Sequence, residues 1–379
     1  MRKLLPGLAV AALTVTLLAT PAHAEGVVLH AGSPTAVPGS YLVKLKDTTT
    51  ASAVTTTVAT RFDAAVTRRF PAFGGFAATL TPKQARRLAA DPAVEYVEQD
   101  QVVHANATQT GAPWGLDRID QRALPLSTTY GYTTVGSGVT AYVIDTGIRV
   151  THAEFGGRAV HGYDAVDNDA VAQDDNGHGT HVAGIIAGRT HGVAKGVRAV
   201  AVRVLNGQGS GTIAGVVAGV DWVTRNAARP AVANFSLGGS ASAALDDAVR
   251  RLVASGVTAS VTAGGSGGSV ANVSPARVVE ALTSGATTQA DARASFSNYG
   301  AGVDLYAPGV GITSAWHTGD TATNTLSGTS MATGFVTGVA ARLLQSNRAA
   351  TPAEVHAEIV REATPLPWGG RLLHWSPAR

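Results

Sequence analysis

The chain of 379 residues contains no cysteine. This absence excludes a disulfide framework and a thiol nucleophile. Any nucleophile, acid or base in this protein therefore has to be an oxygen or a nitrogen group.

Long apolar runs are also scarce, and the prominent one stands near the amino terminus. Arg2 and Lys3 precede an apolar run at 4–18, and Ala-His-Ala at 22–24 is an A-x-A cleavage site. Residues 1–24 are therefore predicted to be a signal peptide, and the protein is predicted to be secreted and extracellular. The run is too short to span a bilayer comfortably and no later segment reaches about 18 uninterrupted apolar residues, so no membrane partner is expected.

A strong excess of charge of one sign is missing as well. The net charge is +3, from 29 basic and 26 acidic residues. Basic and acidic residues are equal in number from residue 107 onward, so the excess lies in the amino-terminal part. A nucleic-acid partner, which needs a basic surface, is therefore not predicted.

Residues 25–106 are predicted to form a small α+β unit. Thr81 and Pro82 have the residue types of an N-cap and a first helical position. The polar stretch 104–113 is predicted to be a linker. The predicted elements are strands at 41–47, 76–80 and 94–103 and a helix at 81–91.

From about residue 135 onward, apolar strands alternate with helices rich in small residues. This pattern predicts an α/β fold, with a doubly wound parallel sheet and helices on both faces. Functional sites of such sheets lie at the carboxyl ends of the strands. Strands are predicted at 138–145, 199–205, 232–237, 256–263 and 302–308, and helices at 178–189, 212–227, 241–255, 330–346 and 352–363.

The segment GSGTIA (209–214) follows a strand and opens a helix, as a dinucleotide-binding turn does. Such a site also needs an acidic residue about 20 positions later at the end of a second strand, and none stands there. A structural turn is therefore the favoured interpretation.

Three residue types used in nucleophilic catalysis follow in the order Asp145, His178, Ser330. Asp145 ends a predicted strand, His178 opens a helix, and Ser330 stands in a first helical turn whose free N–H groups can stabilise an anion. Taken singly, Asp145 could form an Asx turn, His178 a cap or core residue, and Ser330 an N-cap. Together they have the residue types of a nucleophile, its base and an orienting carboxylate.

His178 and His181 stand three residues apart in NGHGTHVAG (176–184), so in a helix they lie near one face, as two metal ligands would. A zinc helix of the HExxH type needs a glutamate between its histidines and a third ligand downstream, but Gly179 and Thr180 stand here. A metal pair stays open as an alternative, and a packed position for His181 is favoured.

The motifs YVIDTG, NGHGTHVAG, NFSLGG, SFSNYG and GTSMAT stand in this order and at matching spacing. With them the chain resembles the subtilisin-type serine proteases, closest to the proteinase K branch, over essentially everything after Gly111. The resemblance implies a serine endopeptidase that needs no cofactor for catalysis, with Ser330 as nucleophile, His178 as base and Asp145 as orienting carboxylate. The chain order excludes an α/β-hydrolase, whose serine comes first.

The resemblance also implies positions that bind an extended peptide or an unfolded protein substrate. One segment resembles the edge that pairs with the substrate backbone, and two others resemble the walls of the pocket for the side chain before the cut. The edge is Gly209, Ser210 and Gly211; the walls are Ser236, Leu237 and Gly238, and Ala263 and Gly264.

A calcium site is a further implication of the resemblance. Asp304 and the carbonyls of Val279 and Ala281 match a structural site of the proteinase K branch. An all-oxygen site suits this hard cation. A surface aspartate without an ion is the alternative.

Residues 25–106 resemble the inhibitory propeptide of the same family, a ferredoxin-like α+β domain, through PGSYLVKLKD and DPAVEYVEQDQVV. The resemblance implies that this unit assists folding and then inhibits the enzyme as an intramolecular partner. Cleavage is expected near Asn106-Ala107, which leaves residues 107–379 as a peptidase domain, expected to be a monomer.

The oxyanion region departs from the family pattern. Gly265 stands where the family has an asparagine that donates to the oxyanion, which leaves the N–H of Ser330 and the hydroxyl of Thr329. Two functions follow as expectations. One is a slowed endopeptidase, and the alternative is a nearly inactive protease-fold protein that binds peptides or inhibitors.

Three further residues differ from the family pattern outside the oxyanion region. Gly334 and Phe335 replace a Pro-His pair after the serine, and Ser284 replaces an apolar residue usual on a core strand. These departures leave the three catalytic residue types intact.

Overall fold

The chain divides into two compact units, residues 1–103 and 104–379. The predicted signal peptide and the predicted cleavage position at Asn106 lie outside the described residues, so the domain boundaries stay predictions. The computed structural model describes residues 25–33, 36–46, 51–102 and 107–376.

Among its described residues, the first unit contains one five-stranded sheet and two helices. Its elements are β1 (Val28–Leu29), β2 (Ala36–Leu45), α1 (Ala51–Arg61), β3 (Ala65–Phe70), β4 (Gly75–Thr79), α2 (Pro82–Ala89) and β5 (Val94–Gln101). The strand order is β1-β5-β2-β4-β3, and β2 is antiparallel to both of its neighbours. From β2 to β5 this is the βαββαβ order of a ferredoxin-like fold, which confirms the predicted class.

Local sequence signals explain both the buried face of this sheet and the start of α2. Tyr41, Val43 and Leu45 are buried while the residues between them are partly exposed, because successive side chains of a strand point to opposite faces. The Thr81 hydroxyl accepts from the Gln84 N–H at 3.2 Å, and the Gln84 side chain accepts from the Thr81 N–H at 2.8 Å. This capping box begins α2 as the sequence predicts.

The second unit contains fifteen strands and six α-helices among its described residues, with one 3₁₀ turn at Val270–Asn272. The strands are β6 (Ala107–Thr110), β7 (Thr129–Tyr132), β8 (Thr140–Asp145), β9 (Ala159–Asp164), β10 (Arg198–Arg203), β11 (Ala231–Phe235), β12 (Gly239–Ser240), β13 (Thr258–Thr262), β14 (Val273–Ser274), β15 (Leu282–Thr287), β16 (Leu305–Pro308), β17 (Ile312–Ala315), β18 (Thr323–Leu326), β19 (Thr364–Pro365) and β20 (Arg371–Leu372). The helices are α3 (Trp114–Ile119), α4 (His178–Ala187), α5 (Ile213–Asn226), α6 (Ala243–Ala254), α7 (Thr329–Ser346) and α8 (Pro352–Glu362).

Nine of these strands form one sheet in the order β19-β20-β16-β15-β13-β11-β8-β10-β9. Every neighbouring pair from β20 to β9 is parallel, and only β19 is antiparallel to its neighbour. Parallel strands need long crossover connections, which the helices provide. The predicted doubly wound parallel sheet is therefore confirmed.

Two hydrophobic clusters cover the two faces of this sheet. On β8, Val143 belongs to the cluster that contains Val336 of α7, whereas its neighbour Ile144 belongs to the cluster that contains Val220 of α5. Since adjacent strand residues point to opposite faces, β8 is buried on both sides, and its nearly continuous apolar sequence follows from this position.

Four strands of the main sheet, β9, β15 and the two-residue strands β19 and β20, do not appear in the sequence-based prediction. Strand β15 has the sequence LTSGAT, which is too polar to read as a core strand, yet all six residues are buried. Its hydroxyl groups find partners inside the protein, since Thr283 donates to the Ala276 carbonyl at 2.8 Å and Ser284 bonds to Thr333 at 2.8 Å. Internal hydrogen bonds thus allow this strand to be buried although its sequence lacks the apolar pattern of a core strand.

None of the helices in the described part of the chain combines the length and the apolar character needed to cross a membrane.

Candidate active site

Three elements bring the predicted catalytic residues to the carboxyl edge of the main sheet. Asp145 is the last residue of β8, His178 is the first residue of α4, and Ser330 is the second residue of α7. Ser330 bonds to Ser236, which directly follows β11, and β11 is the neighbour of β8. The three residues therefore belong to the edge where parallel sheets carry their sites.

Asp145 and His178 are directly bonded. The distance from His178 Nδ1 to Asp145 Oδ1 is 2.7 Å. Because a carboxylate only accepts, Nδ1 carries the proton and Nε2 is left as the basic nitrogen of the neutral ring. Asp145 is fully buried, whereas the His178 side chain is 26 % exposed and lines a cleft. The buried carboxylate thus fixes the tautomer of a ring that solvent can reach.

The protonation of His178 depends on opposing effects. Burial lowers its pKa, but the negative charge of Asp145, the hydrogen bond to that carboxylate and the charge of Asp174 raise the pKa by more. The pKa of His178 therefore lies above its ordinary value. The oxygen of Asp145 that bonds to the ring, Oδ1, also accepts from the Thr146 N–H at 2.8 Å, so this backbone bond helps to fix the position of the carboxylate beside the ring.

Asp174 is a structural residue of this site that the sequence analysis missed. Its carboxylate is buried and accepts from the hydroxyl of Thr146 at 2.8 Å and from the N–H of Gly177 at 2.8 Å. It also accepts from the N–H of Thr180 at 2.8 Å. The carboxylate thereby joins the end of β8 to the start of α4. Its place in DDNGHG, just before His178, was the available signal.

Ser330 stands at the uncapped start of a long helix. Gly328, the N-cap of α7, makes no side-chain cap bond. The Met331 N–H donates to the Gly328 carbonyl at 3.2 Å, and no capping side chain competes with an anion for the helix N-terminus at Ser330. The Ser330 hydroxyl donates to the carbonyl of Ser236 at 3.0 Å, and the Ser236 hydroxyl donates to the carbonyl of Ser330 at 2.9 Å. No hydrogen bond joins Ser330 to His178 in the described structure, and catalytic bonds are often loose without substrate.

Two adjoining clefts carry most of the predicted substrate-binding residues. The cleft that contains His178 has a volume of about 560 Å³ and is lined by Gly209, Ser210 and Gly211. The cleft that contains Ser330 has a volume of about 780 Å³ and is lined by Gly264. Both share the wall of Ser236, Leu237 and Gly238.

Ala263 departs from its predicted place in the pocket wall, whereas the segment at 209–214 agrees with its favoured interpretation. Ala263 does not line either cleft, because it is buried in a small core cluster. The segment at 209–214 is a structural turn, as favoured over a dinucleotide site. The Asn206 side chain accepts from the Ser210 N–H at 3.1 Å, and Thr212 caps α5 by accepting from the Gly215 N–H at 3.0 Å.

The glycine-rich loop after β13 is held by a side chain from another segment. The Asn298 amide donates to the Ala263 carbonyl at 2.8 Å and accepts from the Gly268 N–H at 2.8 Å. Gly264 has a φ of +96°, and a Cβ atom there would lie 2.5 Å from Asn298, so only glycine fits. A Cβ atom added to Gly265 would have no other atom within 4 Å, so the loop has room for a side chain there.

Gly334 and Phe335, which differ from the family pattern after Ser330, are explained by helix packing. A Cβ atom on Gly334 would lie 3.0 Å from the side chain of Ile185, so glycine lets α7 approach α4 closely. Phe335 is 2 % exposed and lies against Gly115, where a Cβ atom would come within 2.4 Å of its ring. These residues act on helix packing rather than on the cleft.

One of the predicted calcium ligands, Asp304, is engaged in other contacts. Asp304 accepts from the Thr283 N–H at 2.8 Å, and its other oxygen lies 3.2 Å from Nε2 of His356. A histidine nitrogen at this carboxylate does not fit a hard-cation ligand set of oxygens. The side chain of Val279 is 77 % exposed and Ala281 is buried. The calcium site stays a prediction.

His181 lies inside the core. It is 0 % exposed, and its Nε2 lies 3.1 Å from the carbonyls of both Ile312 and Asn324. Burial lowers the pKa of His181 to about 4, so the ring is neutral and donates to these carbonyls. This is the packed position favoured over a metal pair.

Comparison with known families agrees with this geometry. Residues 136–374 match the subtilase family, and residues 40–106 match the peptidase inhibitor I9 family. The chain therefore belongs to the subtilase family. The resemblance to subtilisin-type serine proteases with an inhibitory propeptide is confirmed.

Individual relatives carry names in keeping with this family. The chain is 56 % identical over 296 residues to the alkaline serine exoprotease A of Vibrio alginolyticus. The aligned region covers 76 % of this chain but only 55 % of that relative. It is 56 % identical over 294 residues to the extracellular serine proteinase of Thermus sp. (strain Rt41A), covering 78 % of this chain and 72 % of that relative. The chain thus spans about half the length of the Vibrio relative.

A solved structure supports the fold directly. The crystal structure of a cold adapted subtilisin-like serine proteinase superposes with a TM-score of 0.69 at 53 % sequence identity. The match covers 70 % of this chain and 98 % of that chain.

Proposed function

We propose that this protein is a secreted serine endopeptidase in which Asp145, His178 and Ser330 form the catalytic triad. The observation that carries the proposal is the 2.7 Å bond between a buried carboxylate and a partly exposed imidazole. Family membership and the position of Ser330 at a free helix N-terminus support it.

The proposed reaction is acyl transfer to Ser330. Nε2 of His178 takes the hydroxyl proton as Ser330 Oγ forms a bond to the peptide carbonyl carbon. His178 then gives this proton to the leaving amine, and the C–N bond breaks to leave an acyl-enzyme. Water, activated by the same nitrogen, hydrolyses the ester. Asp145 holds the tautomer and stabilises the imidazolium that forms in each step.

The proposed substrate is an extended peptide that pairs with the edge at 209–211 by strand addition. The pocket for the side chain before the cut is formed by the predicted wall segments 236–238 and 263–264, of which Ser236, Leu237, Gly238 and Gly264 line the Ser330 cleft. Neither segment carries a charged residue, and the partly buried side chain of Leu237 lines the shared wall. The pocket therefore favours apolar or aromatic side chains over Lys and Arg.

We expect cleavage to be broad, with apolar and aromatic residues preferred before the cut. An uncharged pocket separates apolar side chains by only about 1 to 3 kcal/mol per methylene, so no single residue should dominate. A peptide library cleaved by the mature protein and read by mass spectrometry measures this preference. Dominance of basic residues at that position would contradict the proposed pocket.

Residues 25–106 are proposed to be an inhibitory and folding-assisting propeptide that is removed near Asn106-Ala107. The match of residues 40–106 to a peptidase inhibitor family supports this role. The name of the Thermus relative, an extracellular serine proteinase, supports secretion.

A fluorophosphonate probe tests the proposed function, since only an activated serine reacts with it. The purified mature protein is expected to be labelled at Ser330, and peptide mapping identifies the labelled residue. Absence of labelling, together with measurable peptide binding, would favour the alternative of a nearly inactive peptide-binding protein.

Replacing Gly265 by asparagine is expected to raise kcat at least about tenfold with little change in KM. One oxyanion donor contributes about 10² to 10³ in kcat in related chemistry, and the loop has room because a Cβ atom at Gly265 meets nothing within 4 Å. Steady-state kinetics on a chromogenic peptide provide the measurement.

Gly265→Leu is the matched control, because leucine has a similar size but no donor, and its kcat is expected not to rise. Asn272 lines the same cleft and could already donate to the oxyanion. If Gly265→Asn leaves kcat unchanged while Asn272→Ala lowers it, the proposed lack of a donor is wrong.

A further inference from the structure

Helix α7 meets the sheet through a row of buried polar pairs. Three threonines spaced four residues apart on α7 each bond to a residue of the sheet, and all six members are at most 4 % exposed. Buried groups of this kind hold their positions because an unpaired partner is costly. The pairs are Thr329 with Thr262 at 2.7 Å, Thr333 with Ser284 at 2.8 Å, and Thr337 with Asn234 at 2.9 Å.

The first pair differs from the others because it lies beside Ser330. Thr262 and Thr329 line the same cleft as Ser330, whereas the other two pairs lie deeper along the helix. Thr262 also ends β13, two residues before Gly264, while Thr329 begins α7. The bond between the two threonines therefore joins the two chain segments that border the nucleophile.

The direction of this hydrogen bond determines what Thr329 can do. Thr262 Oγ1 donates to Thr329 Oγ1, so the Thr329 proton has to point elsewhere. Among the described residues this proton has no acceptor, and Thr329 lines the cleft. A donor that also accepts a hydrogen bond is a stronger donor. The Thr329 proton is therefore available to an oxygen bound next to Ser330.

We propose that Thr262 is a positioning residue that orients the Thr329 hydroxyl toward the oxyanion. This inference rests on the proposed function. In this arrangement, the Thr262–Thr329 pair provides a side-chain donor to the oxyanion, which Gly265 cannot provide because it has no side chain. In this proposal Thr262 acts through Thr329, to which its hydroxyl donates.

The test replaces Thr262 by valine, which has the same shape but no hydroxyl, and Thr262 by serine, which keeps the donor. Thr262→Val is expected to lower kcat about tenfold, with KM within about twofold, and Thr262→Ser to restore most of kcat. Active sites are counted by fluorophosphonate titration, so unfolded molecules do not enter kcat. Thr262→Ala serves as the second variant if Thr262→Val does not fold.

A peptide aldehyde ending in phenylalaninal gives a second measurement. Addition of Ser330 Oγ and its proton across the aldehyde C=O forms a hemiacetal whose oxygen occupies the oxyanion position. Thr262→Val is expected to weaken this inhibitor by about the same factor as kcat, whereas KM stays unchanged. A purely structural role of Thr262 would not produce this difference.

Ser284→Ala is the matched control, since it breaks the equivalent buried pair one helical turn away. Its kcat and its inhibitor affinity are expected to stay near those of the unmodified protein. The inference also predicts that Thr262→Val has no further effect on kcat in a Thr329→Val background.

Failure of the inference about Thr262 can be told apart from failure of the proposed function. A protein that is labelled and active, but whose kcat does not respond to Thr262→Val or responds equally to Ser284→Ala, overturns the role of Thr262 alone. A protein that is not labelled by fluorophosphonate overturns the proposed function and this inference together.

Discussion

Replacing Ser330 by alanine is expected to lower kcat by about 10⁶, because removing the nucleophile of a triad costs as much as removing all three members. The same change should leave the precursor uncut near Asn106-Ala107, since the proposed processing is a reaction of the protein with itself. Expression in a protease-deficient host, followed by intact-mass measurement, shows whether residues 25–106 are still attached.

Two controls separate loss of chemistry from loss of structure. Ser240→Ala removes an exposed hydroxyl that lines the Ser330 cleft, and this variant should mature normally. Active wild-type enzyme added to the Ser330→Ala precursor should cut it, which shows that the site of cleavage is intact. Normal maturation of Ser330→Ala in the absence of other proteases would refute self-processing.

Much of this fold can be predicted from the sequence because local signals agree with the tertiary structure. The capping residues Thr81 and Pro82 locate the start of α2, and the apolar sequence of β8 identifies a strand buried on both faces. The glycine-bounded turn before His178 likewise locates the start of α4.

Other elements could not be predicted because their stability comes from distant partners. The polarity of β15 is tolerated because its hydroxyl groups find internal partners, among them Thr333, which lies on a helix far away in the sequence and pairs with Ser284. In the same way, Asp174 cannot be recognised from DDNGHG alone, because its role depends on its simultaneous bonds to Thr146 and Thr180.

The residue types of the candidate site can be predicted from the sequence, whereas the surroundings of those residues cannot. The 2.7 Å bond between Asp145 and His178 joins two residues that the motifs YVIDTG and NGHGTHVAG identify as candidates. The burial of Ala263 and the contact of Asp304 with His356 could not be foreseen, because both depend on segments that meet only in the folded chain.

Replacing Asp145 by asparagine is expected to lower kcat by about 10⁴, because the amide can hold the imidazole in the wrong tautomer. The pH dependence should change as well. Asp145 raises the pKa of His178 against the effect of burial, so in the unmodified protein the neutral, active ring forms only above the ordinary pKa of histidine. Without the carboxylate, burial lowers the pKa, and the acid limb of kcat/KM should move to lower pH.

The pH profile of kcat/KM, measured on a chromogenic peptide, reports the protonation of the free enzyme. Asp175→Asn is the matched control, because Asp175 precedes His178 by three residues but is 58 % exposed and paired with Arg203 at 3.0 Å. Solvent screens an exposed carboxylate strongly, so Asp175→Asn should leave the acid limb in place. An acid limb that shifts equally in both variants, or in neither, would show that Asp145 does not set the pKa of the catalytic base.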